Sequence, residues 1–253
     1  EYRTETPAGK VRSACILLLA DLLVYTTSPF LTAYAAQNSP YDLAGKNIEE
    51  TDLSSYFHGS EGTFVLYDMT GDSYLIYNEA MSTKRVSPDS TFKIYSGLFG
   101  LEEGLISPDS SARSWDGTEY FFDSWNQDQT LATAMQNSVN WYFQELDAQM
   151  GYSTLSSYYS RISYGNCDLS GGIGSYWAES SLKISPVEQT ELLADLLQNR
   201  WGFRTENIQA VRDAMFVADT PAGKLYGKTG TGSDGNRNIN GWFIGFLETE
   251  TGV

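Results

Sequence analysis

The chain is almost without histidine: among 253 residues only His58 carries an imidazole. A Ser–His–Asp triad would have to be built on that one ring, and a zinc site would have to do without a second. His58 lies among Ser, Gly and Tyr ahead of the first predicted strand, a setting for a surface loop. Neither histidine-dependent chemistry nor a metal site is expected. Cysteine is equally scarce, with Cys15 in an apolar segment near the start and Cys167 deep in the globular part. Two such residues are too few for a disulfide framework. Basic residues are outnumbered two to one: 16 Lys and Arg against 32 Asp and Glu leave a formal net charge of −16. That balance argues against a nucleic-acid partner, and any site for an anion must be local. The 41% of hydrophobic residues is enough for one globular domain with a real core and something extra. The chain starts at Glu1 and stops at Val253 just after an apolar run, and is read as an excerpt from a longer protein.

Residues 13–36 form the first unit, with Ala14-Cys15-Ile16-Leu17-Leu18-Leu19-Ala20 continuing through Leu22, Leu23, Pro29 and Phe30 to Ala36. The length suits a bilayer span of about 20 residues. Asp21 opposes this, since a carboxylate in mid-membrane costs about 2.5–3.5 kcal/mol on insertion scales. Lys10 and Arg12 on the amino side would face the cytoplasm and put the rest outside. Two other readings stand beside the membrane helix: a secretory signal ending at Ala33-Tyr34-Ala35, and a core helix. The first two agree that the domain works on the outer side of a cell membrane. Residues 37–60, polar and acidic and broken by Asn38-Ser39-Pro40, are expected to be a linker.

The globular domain is expected over 61–253. Phe64-Val65-Leu66-Tyr67-Asp68 and Tyr74-Leu75-Ile76-Tyr77 flank Thr70-Gly71-Asp72, a hairpin pattern. Pro88-Asp89 precedes a helical pattern through Phe92, Tyr95, Leu98 and Phe99, and a second helix is predicted from Leu131 to Met150. Ser185-Pro186-Val187-Glu188 is a capping box opening a third helix. Lys224 to Lys228 and Gly241 to Leu247 are predicted strands. Strand-rich ends around a helical middle imply an α+β fold, an antiparallel sheet packed with helices.

Ser90-Thr91-Phe92-Lys93 places a hydroxyl and an amine about one helical turn apart on one face. The lysine is a base only when uncharged, so burial or a neighbouring cation must lower its pKa. Ser-x-x-Lys alone is weak, expected about once in a chain this long, and Ser180-Ser181-Leu182-Lys183 matches it too. Lys228-Thr229-Gly230 supplies a second element: a strand lysine to attract a carboxylate, hydroxyls of Thr229 and Thr231 to bind it, and a bare Gly230 beside which a ligand can lie. Between them stand Ser138-Val139-Asn140 and Tyr164-Gly165-Asn166, each ordinary alone as a helix start and a tight turn. Their order along the chain is what carries weight.

Ser-x-x-Lys followed by Lys-Thr-Gly resembles the β-lactamases and penicillin-binding proteins. Tyr164-Gly165-Asn166, with Trp115-Asp116-Gly117, Trp125-Asn126-Gln127-Asp128 and Trp177 ahead of Ile184-Ser185-Pro186, narrows the resemblance to class D β-lactamases and their relatives, from Phe64 to the end. The resemblance implies that Ser90 is acylated and that Lys93 is its base, with N-carboxylation by CO₂ as a further implied feature and no other cofactor. It also implies that Ser138 relays a proton, with Asn140 and Tyr164 in the catalytic group, and that Trp177, Lys228, Thr229, Gly230 and Thr231 meet the substrate. The N–H groups of Ser90 and Thr231 would form an oxyanion hole. The last strand and helix of that fold are expected to be missing. Where class D hydrolases usually have Val, this chain has Asn140, an amide that can hold the lysine and weaken a carbamate. In this it resembles the sensor domains of BlaR- and MecR-type β-lactam receptors, whose last membrane helix the segment before the domain also resembles. The implied partners are β-lactam antibiotics, the membrane and an upstream transducer domain of the same protein. The implied role is a receptor acylated outside the cell to signal induction of resistance, with a class D-like β-lactamase as the alternative and a cell-wall peptidase or transpeptidase behind both.

Overall fold

The computed structural model describes residues 41, 43–250 and 253. The apolar stretch 13–36 lies outside them; among the described residues no helix is long and apolar enough to cross a membrane. The fold is α+β, with two three-stranded sheets and, among the described residues, six α-helices.

The first sheet grows from the predicted hairpin. Strands β2 (Phe64–Asp68) and β3 (Ser73–Tyr77) pair antiparallel from Phe64 opposite Tyr77 to Asp68 opposite Ser73. Asp68 Oδ1 sets the turn by accepting from the N–H of Thr70 and of Gly71, each at 3.0 Å. The far edge of β3 is not free. Strand β1 (Asn47–Glu50) pairs parallel with it, Asn47 opposite Ser73 through Glu50 opposite Ile76. The stretch expected to be a linker thus contributes a strand, and Leu53 and Phe57 behind it bury against Phe64. Asn47-Ile48-Glu49-Glu50 gave no alternating signal because an edge strand is held by its backbone rather than by a buried face. The second sheet is antiparallel in the order β4 (Phe216–Thr220), β5 (Gly223–Ser233), β6 (Asn238–Glu248), and includes both predicted C-terminal strands.

Helices fill the space around the sheets. After a short α1 (Glu79–Ser82) the chain runs through a 3₁₀ turn (Asp89–Phe92) into α2 (Lys93–Glu102), buried from Lys93 to Leu101. Such burial on every side needs small residues. At Gly97 an added Cβ would stand 3.0 Å from Leu131 Cδ1, and at Gly100 3.0 Å from Leu146 Cδ2. The predicted helix from Leu131 to Met150 is two helices, α3 (Leu131–Gln136) and α4 (Asn140–Arg161), the latter kinked at Gly151. The break between them holds Ser138 in the left-handed region at φ 56° and Val139 in an extended conformation. Apolar periodicity runs on through this break, so the sequence reads as one helix.

Helix α5 (Pro186–Leu197) starts as expected: Ser185 Oγ accepts from Glu188 N at 3.3 Å, while Ser185 N donates to Glu188 Oε2 at 2.9 Å. The Glu188 carboxylate also takes Arg85 Nε at 2.9 Å, so one buried group caps α5 and ties it to the segment before the 3₁₀ turn. Helix α6 (Thr205–Ala214) leads into β4. Asp147 on α4 accepts from Ser96 Oγ on α2 at 2.6 Å and from the Tyr176 hydroxyl at 2.8 Å, joining three segments in the core.

The Tyr164-Gly165-Asn166 turn is a clamp within this fold. Asn166 N donates to Lys183 O at 3.0 Å, Asn166 Oδ1 accepts from Lys183 N at 2.9 Å, and Asn166 Nδ2 donates to Ser181 O at 2.8 Å. Gly165 sits at φ 51°, where an added Cβ would lie 1.9 Å from Lys183 O. Substituting Gly165→Ala should cost about 2–3 kcal/mol, from the backbone conformation and the displaced carbonyl together. Urea unfolding measures it; an unchanged midpoint would mean that the turn bears no such constraint.

Candidate active site

The site is assembled where four segments meet: the 3₁₀ turn entering α2, the α3–α4 break, strand β5 and the loop around Trp177. Lys93 Nζ lies 2.7 Å from Ser90 Oγ and donates to Asn140 Oδ1, also at 2.7 Å. Ser90 is half-buried and Lys93 fully buried. The lysine head is surrounded by rings, with Nζ 5.0 Å from the Trp177 centroid, 5.1 Å from Phe92 and 5.9 Å from Phe143.

Which charge state this pocket favours follows from magnitudes. Ring faces stabilise an ammonium by about 0.5–1 kcal/mol, or about 2 kcal/mol when dry. Leaving it buried without a carboxylate partner costs several kcal/mol. Burial wins and holds the Lys93 pKa well below the usual lysine range; the Lys228 cation adds to the shift, against the pull of Asp89 and Asp147. The neutral amine then has two N–H bonds and one lone pair. Asn140 Oδ1 can only accept, so it fixes an N–H toward itself, and the lone pair is left for the Ser90 hydroxyl.

Lys228 is also buried, and burial lowers it to about 8. Its Nζ donates to Ser138 Oγ at 2.9 Å and to Thr229 O at 2.9 Å. The left-handed conformation at Ser138 turns its hydroxyl to the strand lysine. Strand β4 pairs with β5 only as far as Tyr226, so it leaves the outer edge of Lys228 to Ser233 uncovered. Gly230 lies against the nucleophile turn, its missing Cβ 3.0 Å from Pro88 O and 3.3 Å from Ser90 N. The Ser90 N–H and the N–H of the next strand residue, Thr231, therefore lie near each other. Strand alternation leaves the Thr229 and Thr231 side chains exposed on the face opposite Lys228 and Gly230.

The structure thus brings together Ser90, Lys93, Ser138, Asn140, Lys228 and Gly230. Of the other four expected residues, Thr229 and Thr231 are exposed on the opposite face of the strand, and Tyr164 and Trp177 take other places. Tyr164 is in the core, its ring 5.3 Å from Tyr95 and 5.1 Å from Tyr159, below the site rather than in it. Trp177, expected to meet substrate, stacks on Phe92 at 4.5 Å as a wall for Lys93. Its indole Nε1 is buried without a hydrogen-bond partner among the described residues. The second Ser-x-x-Lys is no site: Lys183 Nζ donates to Ser87 Oγ at 2.8 Å and braces the nucleophile turn from outside. Sequence patterns missed Asn240 and Trp242 on β6, which donate to Ser87 O at 2.9 and 2.7 Å. Only their place opposite Gly232 and Gly230 in the β5–β6 register marks them out.

Residues 38–253 match the family model for the penicillin-binding protein transpeptidase domain. The chain belongs to the penicillin-binding transpeptidase family. Within this family it is 39% identical over 250 residues to the regulatory protein BlaR1 of Bacillus licheniformis, covering 98% of this chain and 41% of that one. The chain therefore spans about two fifths of the length of that relative. Among solved structures it is similar to the C-terminal domain of the Bacillus licheniformis BlaR penicillin-receptor, with a TM-score of 0.76 and 42% identity over 81% of this chain and 84% of that one. It is also similar to the class D β-lactamase BAT-2, with a TM-score of 0.75 and 39% identity over 79% and 84% of the two chains.

One lysine of this transpeptidase-family site should therefore titrate far below the rest, and the neighbouring cation should contribute to that shift. NMR of ¹³C-labelled lysine side chains is expected to resolve such a residue in the wild type, with Lys228→Met moving its midpoint upward. An unchanged midpoint would remove Lys228 from the electrostatic account.

Proposed function

We propose that the chain is the β-lactam-receiving domain of a membrane-anchored signal transducer, and that acylation of Ser90 is the signal. The observation that carries the proposal is the placing of one amine, Lys93 Nζ, between Ser90 Oγ and Asn140 Oδ1. As Ser90 Oγ attacks the lactam carbonyl, its proton passes to the neutral Lys93. The oxyanion is met by the N–H groups of Ser90 and Thr231, and the Lys228 cation attracts the carboxylate common to these antibiotics toward the strand edge, where the Thr229 and Thr231 hydroxyls are exposed to meet it. The C–N bond of the ring breaks and the leaving nitrogen takes a proton through Ser138, which hydrogen-bonds Lys228.

Hydrolysis of the acyl-enzyme needs a second base, for water. Carboxylation of Lys93 would supply one, and the Trp177 indole N–H is free to hold its oxygen. Asn140 opposes it by keeping the amine engaged as a donor. This supports a receptor over an enzyme. Residues 13–36, outside the described residues, are then the membrane helix that places the domain on the extracellular side, with the transducer upstream in the same chain. The alternative is a class D-like β-lactamase, favoured by the similarity to BAT-2 and by the unpartnered indole.

Fluorescent penicillin should label the wild type with one dye per chain, and Ser90→Ala should take none. Lys93→Ala should slow labelling by about 10²–10⁴-fold, the usual contribution of a general base. Label retained by the Ser90 variant would end the proposal. Asn140→Val should let a carbamate accumulate, read as a new ¹³CO₂-derived NMR signal absent from the wild type; equal signals in both would remove Asn140 as the reason for slow deacylation.

A further inference from the structure

Asp89, next to the nucleophile, has no part in the chemistry above, yet it is a buried carboxyl group. It adopts φ 47°, a conformation that non-glycine residues avoid and that persists only where the surroundings hold it. Its N–H donates to Trp177 O at 3.1 Å, and its Oδ2 accepts from Asn240 Nδ2 at 3.0 Å. Facing it is Glu179, from the loop between the Tyr-Gly-Asn turn and Ser181, also left-handed at φ 45°. Glu179 Oε1 is buried without a hydrogen-bond partner among the described residues. The two carboxyl groups meet over the bare backbone of Gly232, where an added Cβ would stand 1.8 Å from Glu179 Oε1 and 2.8 Å from Asp89 Oδ2.

Asp89 is buried and Glu179 half-buried with its Oε1 out of solvent, and two carboxyl groups so close disfavour ionising together. The cations nearby are committed elsewhere. Lys183, which favours the charged form of both acids, is used on Ser87, and Lys93 on α2 is used on Ser90 and Asn140. From below, Tyr164 presents only a neutral hydroxyl, held protonated by burial. Burial raises the Asp89 carboxyl to about 8, with Glu179 adding to it, and burial raises Glu179 as well.

We propose that Asp89 and Glu179 share one proton, and that this bridge is a positioning device for Ser90, locking its turn to the Trp177 loop and to the β5–β6 strands. The role rests on the reading of Ser90 as the acylated residue. With the proton gone, two like charges face each other beside the Ser90 N–H, and repulsion pushes Glu179 and its loop away. Acylation then falls at high pH for a reason separate from Lys228, whose own loss of charge in the same range is common to the variants below.

The sign for stability follows from the same shift. Folded Asp89 holds its proton up to about 8, whereas the unfolded residue loses it near the ordinary carboxylate value of 3.8. The native state binds more protons through that window, so stability falls as pH rises from about 4 to about 8. Asp147, raised by burial to about 7, adds a parallel slope in every variant.

Wild type, Glu179→Gln and Asp89→Asn are compared by thermal unfolding between pH 5 and 9, and by the ratio of fluorescent penicillin labelling rates at pH 6 and pH 9. One unit above a pKa of about 8, about a tenth of the molecules keep the proton. The wild-type ratio should therefore exceed that of Glu179→Gln by roughly tenfold, and the wild-type melting midpoint should fall more steeply with pH than either variant's. Coincident pH profiles in all three proteins would overturn the bridge. Absence of label from wild type at every pH would overturn the reading of Ser90 instead, and the melting curves would still decide whether the proton is shared. If Asp89→Asn does not fold, Glu179→Gln decides alone.

Discussion

An amine buried among aromatic rings, with no carboxylate in contact with it, is the constraint on which this site depends. Desolvation makes Lys93 neutral, and a neutral lysine can take a proton that an ammonium cannot. Its partners then divide the work. The Ser90 hydroxyl meets the lone pair, and the Asn140 amide oxygen holds an N–H. On the proposed function, the first contact makes an acyl-enzyme reachable and the second engages the nitrogen that would otherwise be open to CO₂. In the proposed reading, a single amide at one helix start separates two chemistries that share a fold.

Keeping this arrangement dry and in register occupies much of the molecule. Gly97 and Gly100 let α2 sink into the core, so that its first residue, Lys93, is covered. The left-handed residue at Ser138 ends one helix, and Asn140 opens the next at the height of the lysine. The Ser87 carbonyl takes two donors from β6, and the Tyr-Gly-Asn turn holds the segment whose Lys183 braces Ser87. The chain carries a net charge of −16, yet two lysines converge at this one point. Burial depresses both, Lys93 the further, so Lys228 is the one that carries positive charge into the cleft.

Much of this was legible in the residue order. The hairpin around Gly71, the capped helix at Ser185 and the two C-terminal strands follow from turn and cap chemistry, which acts over a few residues. The convergence of Ser90, Lys93, Asn140 and Lys228 was legible because four short motifs occur in succession. The α3–α4 break was hidden beneath continuous apolar periodicity, although Ser138 within it and Asn140 just after it belong to one of the motifs. Strand β1 was hidden because three of its four residues are polar and its pairing with β3 runs through the backbone. The resemblance put Tyr164 in the catalytic group and Trp177 at the substrate; in the fold one packs beneath the site and the other walls Lys93. Glu179 and Asn240 carried no signal: the β5–β6 register sets Asn240 beside Asp89, and the loop after Trp177 brings Glu179 over Gly232.

Whether acylation is an end state or one half of a turnover is decided by the lifetime of the adduct. The protein is loaded briefly with penicillin, freed of excess, and its intact mass is followed while hydrolysed antibiotic is assayed in the same sample. The account predicts that the mass of one acyl group stays on Ser90 for hours with no product accumulating. Return to the unmodified mass within minutes, with product rising in step, would contradict it and make the protein a hydrolase.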